Sequence, residues 1–131
     1  MGAGDELFPA AGCGYDRGIM QRLRPIARAA DNATAAAWRT GALRTVPGDA
    51  AGPGAIVAPM CAPDGCLGVL AAEVRNGREA DAATQAVAAI IAAQLSGVLA
   101  AWPAASTGAG PGARTARAGD RHGSERDSAA L

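Results

Sequence analysis

The sequence contains no lysine and a single histidine, His122, so all twelve of its basic residues are arginine. Twelve acidic residues balance them, and the formal net charge is zero. No basic stripe therefore marks a surface for nucleic acid or for an anionic membrane. We therefore expect no nucleic-acid partner. Because His122 lies in a polar stretch near the end of the chain, we also exclude histidine catalysis and haem ligation.

Aromatic residues are also scarce: there are two Trp, one Tyr and one Phe, although half of all residues are hydrophobic. The core must therefore be built from Ala, Val, Ile and Leu, which makes it thin and closely spaced. A chain of 131 residues has room for one such core. We expect a single domain over residues 15–102, a disordered lead-in over residues 1–14 and a disordered tail over residues 103–131.

The three cysteines, Cys13, Cys61 and Cys66, are odd in number. No charged segment followed by an apolar segment opens the chain, so we predict a cytoplasmic protein with reduced thiols. Cys61 and Cys66 flank a predicted turn in a C-x4-C spacing, which invites a redox or metal hypothesis. A metal site needs about four ligands, and no other Cys or His is near, so we expect two incidental thiols and no metal or cofactor.

Three short helices are predicted in the first part of the domain. Asp16 is a suitable N-cap for a helix over residues 17–24, and Pro25 is suited to open a second helix over residues 25–30. Asn32 is expected to cap a third helix, over residues 33–40, which Gly41 ends in the left-handed conformation.

Three strands are predicted next, over residues 42–46, 55–58 and 66–74. The segment Ala62-Pro-Asp-Gly65 has the composition of a tight antiparallel turn between the second and third strands. The third strand is apolar on both faces, so we expect it to be the central strand, with helices on one face and a cavity or loops on the other.

A long amphipathic helix is predicted over residues 79–102. Its large apolar residues recur at helical spacing and should face the sheet or a second copy of the helix. Residues 86–101 carry no charge and approach the length of a membrane span. Gln94 and Ser96 interrupt this run, and no aromatic belt flanks it, so we expect no membrane partner. The large apolar residues at this spacing are Val87, Ile90, Ile91, Leu95, Val98, Leu99 and Trp102, and Gln94 shares their spacing.

The order of these elements resembles the second half of a GAF domain. Four segments carry the resemblance: Trp38–Val46 (WRTGALRTV), Ala55–Met60 (AIVAPM), Asp64–Glu73 (DGCLGVLAAE) and the helix over residues 79–99. Membership would imply an α+β fold, with a partial antiparallel sheet and helices on one face. It would also imply a small-molecule pocket on the other face and a dimeric signalling protein. The first helix and first two strands of a GAF domain have no counterpart before Asp16.

The resemblance implies a regulatory module that senses a small molecule or associates with a protein, and not an enzyme. A ligand would be held by Trp38, Arg39 and Arg44, on the third helix and the free sheet face. We expect a homodimer or a partner protein, contacting the helix over residues 79–102 or the exposed sheet edge. Two alternatives stay open: a truncated, ligand-free fragment, and a thiol redox enzyme of the GAF-like methionine sulfoxide reductase type.

Overall fold

A computed structural model describes residues 2–102. The predicted tail over residues 103–131 lies outside the described residues. Helices and antiparallel strands alternate along the chain, which confirms the α+β class. The elements are β1 Gly2–Ala3, β2 Glu6–Leu7, α1 Arg17–Arg22, β3 Ile26–Ala27, α2 Ala33–Thr40, β4 Arg44–Val46, β5 Gly54–Ala62, β6 Gly65–Val74, a 3₁₀ turn Arg78–Ala80 and α3 Ala82–Ala100.

Local capping determines where the helices begin and end. The Asp16 carboxylate accepts from the backbone N–H of Gly18 at the start of α1. The Asn32 side chain accepts from the N–H of Ala35, 2.8 Å away, at the start of α2. Gly41 ends α2 in the left-handed region, at φ 65°. The predicted boundaries of α2 are confirmed because each depends on residues adjacent in sequence.

The predicted helix over residues 25–30 is wrong. Ile26 and Ala27 form β3 instead and pair antiparallel with Leu7 and Glu6 of β2. A six-residue helix gains little on its own, and here the partner strand satisfies the backbone. That partner lies in residues 1–14, which we expected to be disordered. In the structure they contribute β1 and β2, and Leu7 is buried.

The larger sheet has the strand order β4-β5-β6, all antiparallel. The central strand is therefore β5, and the prediction that residues 66–74 occupy the centre is wrong. Both faces of β6 are apolar because α2 and α3 cover opposite faces of the sheet. An end strand that is covered on both faces has the same apolar sequence pattern as a central strand. Pro59 lies in β5 beyond the end of β4, where one side of the strand has no partner strand among residues 2–102 and a proline is tolerated.

Two small cores lie on the two faces of this sheet. On one face, Ile56, Ala58 and Met60 of β5 pack against Ala88 and Ala92 of α3. On the other, α2 buries Ala35, Ala37 and Trp38. Helices therefore cover both faces, where we expected them on one only.

A buried carboxylate joins the loop before β5 to the turn before α3. Glu79 is 7% exposed, and its Oε1 accepts from the backbone N–H of Gly48, 3.1 Å away. Its Oε2 is buried and has no hydrogen-bond partner among residues 2–102. The carboxylate lies against Gly54, where a Cβ would be 2.5 Å from Oε2. The absence of a side chain at residue 54 therefore makes room for Glu79.

We expect Gly54→Ala to lower the free energy of unfolding by about 1–3 kcal/mol, the usual cost of overpacking. The added methyl group would displace the Glu79 carboxylate and break its bond to Gly48. The matched control is Gly52→Ala in the same loop, because a Cβ there has no atom within 4 Å. Urea denaturation followed by circular dichroism should show the loss for Gly54→Ala alone. Equal effects of the two variants would contradict the role assigned to Gly54.

Candidate functional site

Helix α3 presents its small residues to the sheet and most of its large apolar residues to the outside. Ala88, Ala92 and Ser96, spaced four residues apart, are its buried residues. Small side chains allow the helix to approach β5 closely. We expected the large side chains to face the sheet or a second copy; Leu99 packs against the core on β5, whereas Val87, Ile90, Ile91 and Val98 are exposed.

The outer face of α3 is the surface formed by Val87, Ile90, Ile91 and Val98, together with Gln94 among them. Spacings of three and four residues put these positions on one side of the helix. Ile90 is 61% exposed, and Val87 and Val98 are each 56% exposed. Soluble monomers rarely expose such a contiguous apolar surface. The outer face therefore has the composition of a contact surface.

The outer face carries no charge, because no Asp, Glu, Lys or Arg lies within Ala82–Ala100. The charged residue next to α3 in sequence is its N-cap, Asp81. Hydrogen bonds from the Thr84 hydroxyl and from the Thr84 backbone N–H hold the pKa of Asp81 below its usual value. Asp81 therefore serves as the cap of the helix. Because the outer face itself carries no charged residue, its partner cannot be selected by ion pairs with this face.

Within residues 2–102, α3 is long and apolar enough to cross a membrane by length and composition alone. In the structure α3 instead packs on the sheet and is bonded to β5. The Ser96 hydroxyl donates to the backbone oxygen of Cys61, 2.6 Å away. At the other end of the helix, the Gln85 side chain donates to the backbone oxygen of Glu79 in the preceding 3₁₀ turn, 2.7 Å away. A spanning helix would have to break the bond to Cys61 and expose the core of β5.

The three predicted ligand-binding residues use their donors within the protein. The Trp38 indole N–H donates to the backbone oxygen of Cys66, 3.0 Å away. Arg39 donates to the backbone oxygens of Arg28 and Ala30, and Arg44 donates to the Thr40 hydroxyl. The structure does not bring these three side chains together around a cavity, and their role in ligand binding stays a prediction.

A cavity of about 250 Å³ lies between the start of α2 and the sheet face that α2 covers. Tyr15 is at its rim. Partial burial raises the pKa of Tyr15, and a hydrogen bond and charge from Glu73 raise it further. Composition alone did not single out either residue. Trp38, Arg39 and Arg44 are not among the residues that line this cavity. The lining residues are Tyr15, Asn32, Ala33, Thr34, Val46, Ala55, Val57, Ala71, Ala72 and Glu73.

Cys61 and Cys66 are joined by a disulfide, which corrects the expectation of two reduced thiols. They are directly opposite in the β5–β6 ladder, so the register itself brings them together. The C-x4-C spacing around a tight turn was the signal for this pairing. Cys13 is free and exposed.

Comparison of the chain with protein-family models, with characterised proteins and with solved structures gave no match.

Proposed function

We propose that the chain is a protein-association module of GAF-like type that forms a homodimer through the outer face of α3. The observation that supports this proposal is the orientation of α3, which leaves Val87, Ile90 and Val98 more than half exposed. Burial of one such side chain contributes about 1.5–3 kcal/mol. Several together can offset the cost of association, which is about 4–15 kcal/mol.

A second copy of the chain fits this surface better than a lipid surface does. Helices that lie on a membrane carry Lys or Arg on their polar face, and α3 has neither. A copy of α3 presents a surface that is equally apolar and uncharged, and a twofold arrangement uses the same surface twice. Gln94 lies within the outer face, and in a dimer its amide would have a second Gln94 amide as a polar neighbour.

The size of the outer face sets the expected affinity. A helix of 19 residues is about 28 Å long, and an apolar face about 10 Å wide covers less than the roughly 800 Å² per partner of a standard interface. We therefore propose a reversible dimer, with a dissociation constant on the order of micromolar.

Sedimentation equilibrium over a range of concentrations tests the proposal. The full chain should carry Cys13→Ser, because Cys13 is exposed and could link two copies covalently. We expect a monomer–dimer equilibrium, which Ile90→Glu weakens about 30-fold or more, the effect of losing roughly 2 kcal/mol at a central contact. The matched control is Ala89→Glu, an exposed position about 200° around the helix from Val87, which should leave the equilibrium unchanged.

Three results would contradict this proposal. One is a chain that stays monomeric at every concentration. Another is a dimer that persists in Ile90→Glu, which would favour the free edge of β6, the end strand of its sheet among residues 2–102. The third is flotation of the chain with lipid vesicles, which would favour a membrane. The same GAF-like proposal includes a cytoplasmic location and a binding role without enzymatic activity.

A further inference from the structure

The Cys61–Cys66 disulfide lies at the accessible end of the β5–β6 hairpin. It is one ladder position from the last residue pair before the turn, Ala62 and Gly65. Cys61 is exposed and Cys66 is half-buried. An external thiol can therefore approach the pair from the Cys61 side.

The hairpin holds the two cysteines opposite each other without the help of the disulfide. The ladder runs from Gly54 and Val74 to Ala62 and Gly65, with one shift of register between Met60 and Cys61, and beyond this shift Cys61 pairs with Cys66 and Ala62 with Gly65. A disulfide stabilises least when it closes a short loop, and this one joins residues only five apart in sequence. The bond therefore adds little constraint to the chain, and its opening should leave the fold in place.

Two other elements fix the backbone on either side of the disulfide. The Trp38 indole of α2 donates to the carbonyl of Cys66, and the Ser96 hydroxyl of α3 donates to the carbonyl of Cys61. Gly41 lies beside the disulfide, since a Cβ there would be 3.6 Å from each sulfur atom. These contacts keep the two sulfur atoms near each other in either oxidation state, which favours re-formation of the bond after reduction.

We propose that Cys61 and Cys66 form a reversible dithiol–disulfide couple that exchanges with low-molecular-weight monothiols of the glutathione class. The monothiol, as its thiolate, attacks the sulfur of Cys61. A mixed disulfide forms there, the bond to Cys66 breaks, and Cys66 leaves as a thiolate that takes up a proton. A second monothiol attacks the outer sulfur of the mixed disulfide and releases Cys61 as a thiol. Both protein sulfurs are reduced, and two monothiols are oxidised to one disulfide.

This couple is independent of association through α3 and is tested on the full chain with Cys13→Ser. The protein is equilibrated in buffers of varied ratio of reduced to oxidised glutathione, quenched with acid, alkylated and mapped by mass spectrometry. We expect the disulfide fraction to follow the ratio in both directions, while circular dichroism in parallel shows a folded chain throughout. A disulfide that opens only when the chain unfolds, or thiols that oxidised glutathione does not reconvert, would overturn the proposal.

A matched pair of single-cysteine variants tests the assignment of Cys61 as the attacked position. Cys66→Ser leaves the exposed Cys61, and Cys61→Ser leaves the half-buried Cys66, both in the Cys13→Ser background. With oxidised glutathione, the chain that retains Cys61 should form its mixed disulfide several times faster, because access limits the rate at Cys66. Equal rates, or a faster reaction at Cys66, would show that Cys61 is not the position of attack.

Discussion

Replacing Trp38 by alanine should lower the free energy of unfolding by about 3–5 kcal/mol, the usual cost of removing a large aromatic side chain from a core. Trp38 is 2% exposed and is the largest side chain that α2 buries against the sheet. The guanidinium of Arg28 lies 4.7 Å from the centre of its ring. A domain of about 100 residues has only about 5–15 kcal/mol of stability in total, so the variant should lose a large share of its stability.

The conservative variant Trp38→Phe separates packing from hydrogen bonding. Phenylalanine retains most of the buried ring but cannot donate to the carbonyl of Cys66, so we expect a smaller loss, of about 1–3 kcal/mol. Urea denaturation followed by far-ultraviolet circular dichroism measures both variants. A stable Trp38→Ala chain would mean that the indole is not part of the core, and would favour the predicted role of Trp38 in holding a ligand.

Local chemistry made the caps and turns predictable from the sequence. Asp16, Asn32 and Gly41 act on backbone groups within a few residues of themselves, so no knowledge of the fold was needed to place them. The β5–β6 turn belongs to the same class. The position of this turn also predicts that Cys61 and Cys66 flank it, although the disulfide between them was not predicted.

Tertiary pairing made the other features unpredictable. Ile26 and Ala27 form a strand only because β2 lies beside them, and nothing near Pro25 in sequence indicates that partner. The order β4-β5-β6 could not be obtained from the apolar pattern of residues 66–74, because an end strand covered on both faces has the same pattern as a central one. Glu79 is the first residue of the helix predicted over residues 79–102, but its burial depends on Gly48 and Gly54, more than 20 residues away.

The orientation of α3 is the clearest case in which sequence reasoning and structure differ. The helical spacing of the large apolar residues predicts that Val87, Ile90 and Ile91 face a core or a partner. In the structure all three are exposed, and none packs against the sheet. Ala88 and Ala92 take the sheet-facing positions because small side chains let the helix lie close to β5. A helix that is apolar all round is normally covered on more than one side. We propose that a second copy of the chain covers the outer face.

The same substitution at two neighbouring positions of α3 distinguishes these faces. Ala92 is 1% exposed against β5, whereas Ile90 is 61% exposed. Ala92→Glu would place a carboxylate in an apolar contact without a partner, so we expect a loss of about 3–5 kcal/mol in the free energy of unfolding. Ile90→Glu should change the stability of the monomer by less than about 1 kcal/mol, although it weakens the dimer.

Thermal unfolding at several protein concentrations measures both effects at once. The midpoint of the unmodified chain should rise with concentration, because a dimer stabilises the folded state by mass action. Ile90→Glu should abolish this dependence and retain a cooperative transition, and Ala92→Glu should lose the transition itself. If the large apolar residues of α3 faced the sheet, the two variants would exchange these behaviours, because the glutamate at residue 90 would then be the buried one.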